Sequence, residues 1–179
     1  MIEPHPPDPT WPRYSMKAFP PYRFLPGKHP HPRRHPLGHS YGQPEPKFLA
    51  FPPEEWQRAE DYLYGIDLYN FAYWWECHEV FEGLWHAVGH DTAQGNFFQA
   101  LIQIAAANLK RFIGYEQAAQ NLARSGLARL QNLPQLYMGI NVIALSEACR
   151  AISTPLSNST PFQILLALET PSSPVNLKS

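Results

Sequence analysis

From residue 54 onward the apolar positions recur at helical spacing. Trp56, Ala59, Leu63, Ile66 and Tyr69 keep a period of about 3.6 residues, and Pro52-Pro53-Glu54-Glu55 supplies a start signal of prolines followed by acids. A break is predicted at residues 69–71, with Asn70 closing or capping. A second helix is predicted over 72–88, stopped by Gly89, and a third over 97–113, stopped by Gly114. A fourth, over 116–133, places Ala119, Leu122, Ala123, Leu127 and Leu130 on one stripe before Pro134. A fifth covers 138–152, and residues 162–168 are read as a last helical turn. No stretch alternates like a strand and no hairpin signal is visible. The predicted fold class is all-α, a compact array of about five helices.

Proline divides the chain. Fifteen of the 20 prolines lie in residues 1–53 and none in 54–133, so the first stretch can be neither helix nor central strand. It nevertheless carries Trp11, Tyr14, Phe19, Tyr22, Phe24, Tyr41 and Phe48, an aromatic content unlike that of free linkers. Residues 1–50 are therefore read as an extended Pro/His-rich arm, loose over 1–18 and packed beyond. Residues 51–169 are the helical domain and 170–179 a flexible tail. The arm's net +4 faces a net −5 in the rest, which favours docking.

Overall charge is −1, which gives no reason to expect a nucleic-acid partner. No apolar run approaches the length of a membrane span, and the first residues do not read as a secretion signal. Cys77 and Cys149 are too few for a disulfide scaffold, so a cytoplasmic setting is expected.

The candidate chemistry lies in Trp74-Trp75-Glu76-Cys77-His78-Glu79-Val80-Phe81-Glu82-Gly83-Leu84-Trp85-His86. His78 and Glu82 are four apart and so about 40° from each other on one helix face, with Trp85 close by on the same face. Such a pair could form a structural contact, ligate a divalent metal or act as an acid–base couple. His86, four residues after Glu82, is a possible third ligand. The zinc-protease pattern His-Glu-x-x-His is not met, since Glu82 stands at the second histidine. In the next helix Gln99 and Gln103 are either a solvated stripe or amides facing the His78–Glu82 pair. In the arm, Arg23 and His39 are candidates to complete the site.

The block His78-x-x-x-Glu82-x-x-Trp85, followed by Phe98-Gln99-Ala100-Leu101-Ile102-Gln103 and an alanine run, resembles the bacterial and archaeal family called domain of unknown function 309, over roughly residues 60–133. The resemblance implies a small helical array with that motif as its functional element, possible metal binding, and no established activity. It also implies that Gln99 and Gln103 belong with His78 and Glu82. Three functions follow. The first is a cluster that binds a divalent metal, zinc or iron, or a small molecule. The second is a non-catalytic helical interaction module, self-associating as a homodimer or higher oligomer, in which the cluster is structural. The third is a small hydrolase with His78 as base.

Overall fold

The computed structural model describes residues 9–154 and 161–167. Among these residues the chain forms a short 3-10 turn, Pro53–Arg58, and five helices: α1 Glu60–Asn70, α2 Trp74–Val88, α3 Ala93–Phe112, α4 Glu116–Leu130 and α5 Val142–Ser153. The fold is all-α. Helix α3 is central, packed between α2 and α4, while α1 rests on α2 and α5 on α4. Phe97, Phe98, Ala100, Leu101, Ile104 and Ala105 on α3 are fully buried, so the apolar face of this central helix forms the middle of the core.

The boundaries depart from the periodicity in four places, each for a local reason. The first helix is interrupted at Ala59, where the backbone leaves helical geometry; the turn before it buries Trp56 against Gly139. Helix α3 begins four residues earlier than predicted because Thr92 caps it, its hydroxyl oxygen accepting from the Gly95 N–H at 2.8 Å. Residues 136–141 form a tiny antiparallel ribbon, β1 Leu136–Tyr137 with β2 Ile140–Asn141, in place of the start of the last helix. Its turn residues, Met138 at φ 46° and Gly139 at φ 77°, both take the left-handed conformation that a two-residue hairpin requires. Asn141 then caps α5 by accepting from the Ala144 N–H.

The fourth departure is residues 161–167, which are extended rather than helical. Ile164 and Leu166 are buried while Leu165 is exposed, a strand-like alternation. Backbone groups of this segment are claimed by other parts of the fold. Asn70 bonds both the N–H and the carbonyl of Ile164, each at 2.8 Å, and the Ala167 N–H donates to the Gly139 carbonyl. The expected tail, 170–179, lies outside the described residues.

Residues 9–50 hold no helix or strand and are secured by side chains. The fully buried Asp67 of α1 accepts from the Arg13 guanidinium and from the N–H groups of Tyr14 and Ser15, all within 2.9 Å. Residues 13–15, expected to be loose, are thus fastened by a carboxylate that burial obliges to find donors. Phe19 stacks on Tyr73 at 4.8 Å, and Phe24 and Leu25 are buried. Tyr41 is half exposed.

Candidate functional site

Helix α2 carries the site on its outer faces. Trp74, Cys77, Phe81 and Leu84 point into the core, and Gly89, at φ 90°, ends the helix with its N–H on the Trp85 carbonyl. Burial pushes the Cys77 thiol well above its ordinary range, and Cys149 is pushed up to about 12 by the same cause, so neither is a ready thiolate.

His78 and Glu82 come together, with a third member that spacing did not select. One ligand atom each from His78, Glu79 and Glu82 lie within 4.8 Å of one another. Glu79 is one residue from His78, about 100° around the helix, which an i,i+4 rule passes over. Its side chain nevertheless brings Oε1 to 3.5 Å from His78 Nδ1. The three residues are half-buried. His78 Nδ1 itself is buried and has no hydrogen-bond partner, since Glu79 Oε1 is near but not aligned.

The other sequence candidates are dispersed around this group. Trp85 stacks on His90 at 3.9 Å and keeps its Nε1 buried without a partner. His86 is exposed and pairs with His90, its Nδ1 3.0 Å from His90 Nε2, outside the three-residue group. Gln99 is half-buried and makes no hydrogen bond to His78 or Glu82. Gln103 lines a separate cavity of about 500 Å³ with Asn96, Ser125 and Arg129, between α3 and α4. Arg23 donates from Nε to the Phe71 carbonyl at 2.9 Å and lies over the Tyr73 ring, at the start of α2.

His39 reaches α2, but at Glu76. Its Nε2 is 3.3 Å from Glu76 Oε1 and its Nδ1 is 2.8 Å from Ser40 Oγ. A carboxylate can only accept, so Nε2 donates to Glu76 Oε1, while Nδ1 and the Ser40 hydroxyl share the second hydrogen bond. The Phe24 N–H also donates to Glu76 Oε1, at 2.9 Å. The loop presenting His39 is held by its own backbone: the Ser40 N–H donates to the Pro32 carbonyl, and Gly38 packs where a Cβ would stand 2.2 Å from that same oxygen. Glu76 escaped the sequence reading because an acid in the first turn of a helix is already explained by the helix dipole.

Arm, α1 and α2 together line an open cavity of about 680 Å³. Its wall includes Glu76, Glu79 and Glu82 from α2, His39 and Arg33 from the arm, and apolar surface from Phe48 and Trp75. Glu79 and Glu82 therefore belong both to the three-residue group and to this cavity.

The fold and site define a small helical-array protein with a His/Glu cluster on one helix and an extended arm beside it. Residues 62–122 match the family model described as Domain of unknown function (DUF309), so the chain carries a DUF309 domain running from α1 into α4. The match includes Glu76, His78, Glu79, Glu82, Trp85, Gln99 and Gln103 and leaves the arm and α5 outside. No curated protein matches the chain. Among the described residues no helix is long and apolar enough to cross a membrane.

Proposed function

We propose that this DUF309 protein binds a divalent cation through His78, Glu79 and Glu82. The observation that carries the reading is the convergence of one imidazole nitrogen and two carboxylate oxygens within 4.8 Å. One nitrogen with two oxygens suits zinc or ferrous iron better than magnesium or calcium, which prefer all-oxygen sets. Three protein ligands leave a coordination position for water or a substrate, and the adjoining cavity gives access to it. The buried, unpartnered Nδ1 of His78 supports the reading, because a nitrogen shut away from water without a hydrogen bond is costly unless something binds there.

Titration of metal-stripped full-length protein with zinc and with ferrous iron, followed calorimetrically, tests this. Stoichiometric binding is expected for the wild type, with loss in His78→Ala and Glu82→Gln and retention in His86→Ala. Absence of binding in the wild type, or retention in His78→Ala, overturns the reading.

A further inference from the structure

The cavity between arm and α2 has a chemistry of its own. Its helical wall presents Glu76, Glu79 and Glu82, at successive i,i+3 positions on one ridge of α2. The axial rise between neighbours is about 4.5 Å, so the row covers about 9 Å along the helix. Glu45 adds a fourth carboxylate at the rim. Against these stand the Arg33 guanidinium, which lies 3.9 Å from Glu45, and the histidines His39 and His86. The lining is therefore net anionic, and its charges are spread along a line.

Glu76 is the member that surface acidity does not explain. Its side chain is 6% exposed. Oε1 is occupied by the Phe24 N–H and His39 Nε2, while Oε2 is buried and has no partner. Leaving half of a buried carboxylate without a donor costs free energy that the folded chain does not recover by itself. The group that removes this cost must be a donor, and a cationic donor best of all. Glu76 is outside the metal group, whose ligand atoms belong to His78, Glu79 and Glu82, so a compact ion held there does not satisfy it.

We infer that the cavity binds a linear aliphatic diamine or polyamine, with one ammonium on Glu76 and the next on Glu79 or Glu82. Ammonium groups separated by three or four methylenes are about 5–6 Å apart, close to the step between the carboxylates once side-chain reach is added. The methylenes between them lie against Phe48 and Trp75, apolar surface that a hydrated metal ion would not use. A volume of about 680 Å³ accommodates such a chain. This goes beyond the metal reading and shares only Glu79 and Glu82 with it.

Calorimetric titration of the full-length, metal-free protein with spermidine, putrescine and butylamine at constant ionic strength tests the inference. Spermidine and putrescine are expected to bind, each at least about tenfold more tightly than butylamine, which has one charge. Glu76→Gln, checked for helicity, is expected to weaken putrescine binding at least about tenfold and to leave zinc binding unchanged. His78→Ala is expected to do the reverse. Glu79→Gln, a half-exposed change that does not threaten folding, is a second probe and is expected to weaken putrescine binding. Butylamine binding as tightly as the diamine, no amine binding at all, or unchanged putrescine affinity in both glutamate variants each overturns it. Loss of zinc binding alone would overturn the metal reading and leave this one standing.

Discussion

His39 in the arm and Glu76 in α2 share a hydrogen bond at 3.3 Å across 37 positions of sequence, with both side chains more than nine-tenths shielded from solvent. The contact fastens the arm to the helix, and both residues line the cavity. His39→Ala leaves the Phe24 N–H as the donor that remains on Glu76 Oε1 and removes a ring packed on Tyr22 at 4.8 Å. A loss of about 1–3 kcal/mol in urea unfolding is expected, together with faster tryptic cleavage at Arg33 and Arg34. Unchanged stability and unchanged cleavage would show that the contact does not hold the arm.

Gly83 marks the arm's second point of close approach. A Cβ there would stand 2.0 Å from the Phe48 ring. Gly83→Ala should therefore displace Phe48 while favouring α2 itself by up to about 1 kcal/mol through helix propensity. Trypsin is expected to cut after Lys47 faster in the variant, with far-ultraviolet circular dichroism unchanged or slightly more helical. A cleavage rate equal to wild type would count against the packing of Phe48 on α2.

The Asn70 amide replaces a strand partner for Ile164, donating to its carbonyl and accepting from its N–H inside the protein. Asn70→Ala removes both bonds and leaves two buried backbone groups without partners. The expected cost is about 2–4 kcal/mol by chemical denaturation. Asn70→Asp should be nearly as damaging, because a carboxylate can accept from the N–H but has no donor for the carbonyl. A loss below about 1 kcal/mol in both variants would show that water replaces the amide freely.

Alkaline pH should destabilise the fold. Burial raises Cys149 from an ordinary value near 9 to about 12, raises Tyr64 from near 10 to about 12, and raises Tyr62, Tyr69 and Cys77 in the same direction. Between the unfolded and folded values the unfolded chain holds fewer protons than the native one, so unfolding free energy falls as pH rises. Stability from these groups is fully present below pH 9 and declines from there towards pH 12. Thermal midpoints measured across this window should drop, and Cys149→Ser should flatten the lower part of the decline. A flat profile over about pH 8.5 to 11, the range in which free thiols and phenols titrate, would contradict it.

The candidate site was half legible. His78 and Glu82 were found because four-residue spacing on a helix is a local geometric fact. Glu79 was passed over because its backbone position points away and its flexible side chain returns. Glu76 and His39 were beyond reach of spacing rules, since one lies in a helix and the other in a loop whose path is set by packing. His86 was selected by the same four-residue rule, yet its imidazole turns to His90.

The sequence by itself determined what depends on neighbours along the chain. Helical periodicity, Gly89 and Gly114 as stops, and the exclusion of regular structure from the proline-rich stretch all follow from backbone sterics and side-chain spacing. The DUF309 blocks were equally local and could be read directly. Tertiary structure alone decided the course of the arm, because a segment without backbone hydrogen-bond periodicity is positioned by distant donors and acceptors such as Asp67 and Glu76. It alone made residues 161–167 extended, since Asn70 and Gly139 claim their backbone groups. It alone formed the cavity, whose walls are separated in sequence and meet only because burying Phe24, Leu25 and Phe48 against the helices outweighs the entropy of holding the arm in place.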